Sequence, residues 1–317
     1  MGNLILRCSL GHDTADTTVQ EVIRVYENAF PGQIAGYYIE GSYADWTYLA
    51  TSDIDITIVF SNHFAHEEVR KTAERLWGTS AHTSTMEIDI TIVDEDDLHE
   101  GVFPTLKMGS QLIYGQNVCS KYPILPLEAW TRERMHAAYC LLVTVYQRPT
   151  PVHLPLVFPN SEDEFYGYTN RMVHLPDGKE VSCTRNLVRT TGWAATALLA
   201  LQAKQYVVRK RDCPGLYRHS IGDEWSSLLE EISFVCRDKW QYLIPEAECD
   251  RQRLRALCER TLNFEQHFLS IYKPYLLEQI HSTEQEYARL ALWFQEQFPL
   301  DDEEIMSVLQ RMSRSLC

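Results

Sequence analysis

Ile54-Asp55-Ile56-Thr57-Ile58-Val59 recurs unchanged at Ile88–Val93, and an acidic residue stands before each copy, Asp53 before the first and Glu87 before the second. Isoleucine alternating with polar residues has the two-residue period of a β-strand, which sends successive side chains to opposite faces. Ile54, Ile56 and Ile58 are thus expected to face a core, with Asp53, Asp55 and Thr57 on the other side. The second copy turns Ile88, Ile90 and Ile92 inward and Glu87, Asp89 and Thr91 outward. If the two strands neighbour each other in one sheet, up to four carboxylates share a patch. Like charges that close repel unless cations neutralise them, and an oxygen-rich cluster suits Mg²⁺. The pattern points to two-metal phosphoryl chemistry.

The flanking sequence extends this pair into an α/β unit. Thr17–Phe30 carries a helical stripe of Val19, Val22, Ile23, Val25 and Tyr26, stopped by Pro31-Gly32. Ile34–Ile39 reads as a first strand, leading into Gly41-Ser42 and a polar loop. The acidic strands span 53–60 and 86–93, with an amphipathic helix at Phe64–Trp77 between them. Leu106–Val118 closes the unit as a short helix and an edge strand. The order predicts an α/β mixed sheet with flanking helices, covered on one side.

Beyond Pro123 and Pro126 the periodicity becomes helical. Glu128–Gln147 reads as a helix, followed by a loop carrying Pro149, Pro151, Pro155 and Pro159, and Pro176-Asp177-Gly178 as a hairpin turn. Helices are expected at roughly 186–206, 223–236, 250–272, 283–297 and 301–315. The division is an α/β domain over 1–125 and an α-helical bundle over 126–317. No repeat of domain size occurs; the duplicated hexapeptide is two similar strands.

Composition narrows the function. The 317 residues are enough for two cores, and 45% hydrophobic with 23% charged residues is ordinary for a globular protein. No apolar run approaches the roughly 20 residues that span a bilayer, and the first residues lack the pattern of a signal peptide. Nine scattered cysteines without a Cys-x-x-Cys pair argue against zinc and against a disulfide framework, so a reduced cytoplasm is the expected setting. A net charge of −15 disfavours a nucleic-acid partner, which needs a basic stripe, and suits a small cationic one.

Gly41-Ser42, at a strand-to-helix turn, can offer backbone N–H groups and a hydroxyl to phosphate oxygens. Ten residues separate it from Asp53-Ile54-Asp55, with Ser52 immediately before the acidic pair and a third carboxylate on the next strand. With these residues in place the chain resembles the nucleotidyltransferase superfamily of DNA polymerase β and kanamycin nucleotidyltransferase. Within it, the chain is similar to the aminoglycoside adenylyltransferases that modify streptomycin and spectinomycin. These share the ten-residue spacer, the Ser-Asp-Ile-Asp run at Ser52–Asp55 and the carboxylate-led third strand. Arg185-Asn186-Leu187-Val188 and the segment from Lys204 to Lys210 are similar to motifs of their helical domain. The likeness covers about residues 36–118 firmly and the rest loosely. The chain departs from it at Trp46-Thr47, where relatives often carry glycines, and at Ser182-Cys183-Thr184, where the streptomycin enzymes tend to carry acids.

The resemblance implies ATP as donor, two Mg²⁺ ions and a small-molecule hydroxyl as acceptor. Asp53, Asp55 and Asp89 are then the metal ligands, and Asp89 or Glu87 the base that deprotonates the acceptor. Gly41, Ser42, Ser52 and Lys210 are the nucleotide-binding residues, with Lys210 reaching the phosphates from the helical domain across an interdomain cleft. Alternatives are a protein or RNA acceptor, as in antitoxin-type transferases, and a nucleotide-binding module without turnover. The intact acidic set argues against the last. Outside the site, His63-x-x-His66 reads as a surface at a helix start, Asp94-Glu95-Asp96-Asp97 as a solvated cap, and Trp193, Trp225, Trp240 and Trp293 as core residues.

Overall fold

The computed structural model describes residues 4–80, 86–175 and 178–308. They form two compact units: one holds the described residues of 1–127, 174–180 and 206–210, and the other the described residues of 128–173, 181–205 and 211–317.

The first unit is built on a four-stranded mixed sheet. Helix α1 (Asp13–Ala29) begins four residues earlier than its apolar stripe suggests, because His12 accepts the Ala15 N–H and Asp13 and Asp16 sit at its positive end. Strand β1 (Ile34–Glu40) runs into α2 (Gly41–Ala44), a single helical turn where an open loop was expected. After it come β2 (Ile54–Phe60), α3 (Glu67–Ser80), β3 (Ile88–Asp94), α4 (Pro104–Gly109) and β4 (Gln111–Gly115). The strands lie in the order β3-β2-β1-β4. β1 is antiparallel to both β2 and β4, whereas β2 and β3 are parallel, so α3 serves as the crossover that a parallel pair requires.

One face of the sheet packs Tyr37, Ile39, Ile54, Ile56, Ile58, Ile92 and Ile113 against Val19, Val22, Ile23 and Tyr26 of α1 and Ala73 and Trp77 of α3. The isoleucines of both hexapeptides face this core, as their alternation predicts. The opposite face is not bare, which corrects the one-sided expectation. There Tyr38, Val59 and the partly buried Val93 and Leu112 pack under Leu98, Val102, Leu106, Val118 and Cys119. That apolar cover lies toward the C-terminal ends of β2 and β3. The same face therefore divides into a covered apolar end and an opposite end that carries Glu40, Asp55 and Asp89.

The turn after β3 differs from a solvated cap. Asp94 is fully buried, and its carboxylate lies 3.1 Å from His63 Nδ1 and 3.9 Å from Arg70 Nη1. Asp97 donates its backbone N–H to Asp94 and pairs with Arg70 at 3.0 Å. A buried carboxylate needs such partners. His63 itself stays exposed, in keeping with a surface reading of His63-x-x-His66.

The second unit contains α5 (Leu127–Thr144, from its second residue), α6 (Arg185–Gln202), α7 (Cys213–Ser220), α8 (Ser226–Ile232), α9 (Glu248–Ile280) and α10 (Gln285–Gln297). α8 continues into a π-helical stretch, Ser233–Lys239. Short strands β5 (Val152–His153) and β8 (Leu300–Asp301) pair with each other, as do β6 (Arg171–His174) and β7 (Glu180–Cys183). α9 does not stop near 272 but passes through Pro274, held by the buried Tyr272, Tyr275, Leu276 and Ile280 on its inner face. Its middle is tied to the Pro-rich segment by a buried pair, Arg148 and Glu265 at 2.5 Å, with Tyr168 donating to the same carboxylate at 2.8 Å. Burial pushes the Glu265 carboxyl up to about 7. Trp240 is buried, but Trp293 is exposed, because α10 turns that side of its surface to solvent. Pro176 and Asp177 of the expected turn, and the expected helix beyond 308, lie outside the described residues; 303–308 are helical.

Candidate active site

Strand register brings the acidic side chains together. Asp55 and Asp89 are direct partners across the parallel β2–β3 pair, and Glu40 is the partner of Asp55 across the antiparallel β1–β2 pair. Three carboxylates therefore stand in one transverse row on three adjacent strands, which are spaced about 4.8 Å apart. Asp53 lies just ahead of β2, two residues from Asp55, and Glu87 likewise precedes β3. Asp55 is half-buried, while Asp89 and Glu87 are exposed.

Asp55 carries the effect of that crowding. Its carboxyl is raised to about 6 overall: burial raises it most, Lys210 lowers it, and Asp53, Asp89 and Glu40 raise it further. The ammonium of Lys210 sits 3.7 Å from Asp55 Oδ2. Lys210 was expected from the helical region, but the segment Tyr206–Lys210 packs with the first unit. Tyr206 donates its hydroxyl hydrogen to the Leu125 carbonyl at 2.7 Å, and Gly109 leaves room for the Val208 backbone.

Gly41 is where this site demands glycine. Its φ is +66°, a region that L side chains avoid. A Cβ there would also collide with Asp55 Oδ2, so the missing side chain lets the carboxylate lie directly against the turn. Ser42 follows at the start of α2, and its carbonyl accepts the Thr47 N–H at 2.9 Å. Ser52 is nearly buried: its hydroxyl accepts the Leu49 N–H at 2.9 Å, and its own N–H returns to the Leu49 carbonyl. That closed turn delivers the chain to Asp53. Trp46 adopts a positive φ of 61°, is exposed, and packs over Gly11. The neighbouring Tyr43 and Tyr48 rings stack at 4.5 Å. The bulky residues of this loop thus turn toward the α1 side of the unit.

Glu40 escaped the sequence reading. The signal was present, since Glu40 is the last residue of the first strand, directly before Gly41-Ser42. Only the antiparallel register shows that it faces Asp55.

Among the described residues no three His, Cys, Asp or Glu side chains come together as a metal site. Mg²⁺ does not need three, because it binds through one or two carboxylates and takes its remaining ligands from phosphates and water. The hard oxygens of Asp55 and Asp89, adjacent in register, fit such an ion. No helix among the described residues is long and apolar enough to cross a membrane.

Residues 20–106 match the family model of the nucleotidyltransferase domain. No curated protein matches the chain. Among solved structures the chain is similar to spectinomycin adenyltransferase AAD(9) from Enterococcus faecialis, determined with ATP and spectinomycin. The identity is 13% and the TM-score 0.46, over 78% of this chain and 97% of that one.

Proposed function

We propose that the chain, whose residues 20–106 match the nucleotidyltransferase domain, is a nucleotidyltransferase that transfers AMP from ATP to a hydroxyl of a small, aminoglycoside-like molecule. The observation that carries this reading is the in-register pair Asp55–Asp89 with Lys210 Nζ 3.7 Å from Asp55. Carboxylates able to hold a divalent cation and a lysine able to meet phosphate then stand at one point. Ser52–Asp55 and Asp89 also follow the sequence pattern that the adenylyltransferases share.

Asp53, Asp55 and Asp89 would hold Mg²⁺, which when bound would supply positive charge against the triphosphate. Lys210 pairs with the non-bridging phosphate oxygens, and Gly41 and Ser42 cradle the leaving phosphates through backbone N–H groups and the Ser42 hydroxyl. Asp89 takes the acceptor proton, with Glu87 the alternative on the same side of β3. The acceptor oxygen forms a bond to the α-phosphorus while the bond from that phosphorus to the α–β bridging oxygen breaks. Pyrophosphate leaves with that electron pair. A chain of net charge −15, with Glu87 and Asp89 exposed beside the reaction centre, favours a polycationic acceptor. Residues 126–317 are taken as the domain that selects it.

The test is pyrophosphate release from each nucleoside triphosphate with Mg²⁺ and a panel of aminoglycosides. Release is expected to be greatest with ATP, to require an acceptor, and to vanish in an Asp53→Ala/Asp55→Ala double variant. If no acceptor stimulates release the proposal fails; if release persists in the double variant, the site assignment fails.

A further inference from the structure

We propose that Glu40 is a positioning residue for the divalent cation, its charge completing a carboxylate row that crosses three strands. The inference rests on the metal-dependent reading above. Three observations support it. Glu40 is the register partner of Asp55, which is in turn the register partner of Asp89, so the three charges lie side by side across β1, β2 and β3. The Thr57 hydroxyl donates to Glu40 Oε1 at 2.5 Å, and Thr57 is itself buried on β2, two residues beyond Asp55. Glu40 is also the last residue before the positive-φ turn at Gly41, whose bare α-carbon lies against the Asp55 carboxylate.

A long side chain held at one oxygen by a buried hydroxyl has little freedom left to lose when a cation arrives. Its charge is thus fixed beside Asp55 before binding. Glu40, Asp55 and Asp89 bring three carboxylates together in register, with Lys210 beside Asp55, and a divalent cation is a counterion that relieves their repulsion. Glu40 acts on that cation through space and through the placement of Asp55. A purely structural Glu40 would serve only as an acceptor for Thr57.

Those two roles separate in Glu40→Gln, which keeps an acceptor for Thr57 and removes the charge. The measurement is Mn²⁺ titration by electron paramagnetic resonance in the presence of α,β-methylene-ATP, which cannot be cleaved at the reacting bond. An opposite charge within about 4–6 Å is worth one unit or more of binding, so Glu40→Gln is expected to bind Mn²⁺ about tenfold more weakly. Turnover should follow the same split: a raised Mn²⁺ requirement with kcat recovered at saturating metal. Glu40→Asp retains the charge and is expected to stay within about twofold of the parent. It carries the test if Glu40→Gln does not fold. Unchanged Mn²⁺ affinity in Glu40→Gln, or equal loss in both variants, overturns the proposal. Asp55→Asn is the reference: if it loses Mn²⁺ and Glu40→Gln does not, the Glu40 role alone falls. If the parent protein takes up no Mn²⁺ with the analogue, the metal-dependent reading falls with it.

Discussion

β2 and β3 share six consecutive residues, yet in β2 every one of them except Asp55 is buried, whereas in β3 only Ile92 is. β2 lies between β1 and β3, while β3 is an outermost strand of the sheet. Position in the sheet, not side-chain identity, sets the difference. Asp55 is desolvated, pressed against Gly41 and flanked by Glu40 on one side and Asp89 on the other. Asp89 has a carboxylate neighbour across only one strand boundary and is open to solvent. On the proposed reading the same aspartate is a half-buried metal ligand in β2, and in β3 a metal ligand accessible enough to accept a proton.

The comparison breaks first on activity, where the two aspartates should behave alike. Asp55→Asn and Asp89→Asn are each expected to lower acceptor-dependent pyrophosphate release by at least about 10²–10³-fold, the range seen when one preorganised charge-stabilising group is removed. Retained activity in either would remove that residue from the reaction centre. Stability should divide them. Ile56→Ala opens a void in the core and is expected to cost about 2–5 kcal/mol in urea unfolding; the partly exposed Ile90→Ala should cost less than half of that. Equal losses would mean that the edge strand is packed as tightly as the centre.

A smaller effect lies in the pH dependence of melting, measured without divalent cations. The folded-state pKa of Asp55 is raised, so the folded protein binds its proton more tightly than the unfolded chain does. Its destabilising contribution is absent below about pH 4 and complete above about 6. Relative to Asp55→Asn, the parent should thus lose stability as pH rises through that window, by at most about 3 kcal/mol, and run parallel to it above. The finest test is Lys210→Ala: removing the nearby ammonium should move the Asp55 window upward.

The first unit was largely legible because its signals are local. Two-residue alternation predicts both acidic strands, and the identical hexapeptides fix which side of each faces the core. The Gly41-Ser42 spacing identifies the turn that meets Asp55. Glu40 stayed hidden because its role depends on cross-strand register, which no local pattern encodes. Lys210 was singled out as a phosphate partner, but its return to the first unit depends on tertiary packing of Tyr206 and Val208. The helical region was harder for a different reason. A helical period reports that a face is buried without saying for how long, so α9 runs on through Pro274, and α8 passes into a π-helical stretch that no propensity marks. The cap expected at Asp94 failed because its partners, Arg70 and His63, come from earlier in the chain.

The outermost position of β3 has one more consequence. The outermost strand of a sheet, here isoleucine alternating with Asp89, Thr91 and Val93, is a position onto which another chain can add. Asp89, exposed in the middle of that strand, places a charge in every would-be stack and repels it. The side chain assigned to accept a proton thereby also guards the fold against self-association. Asn at position 89 removes both protections at once, so an inactive variant of this strand should also be the more aggregation-prone one during expression.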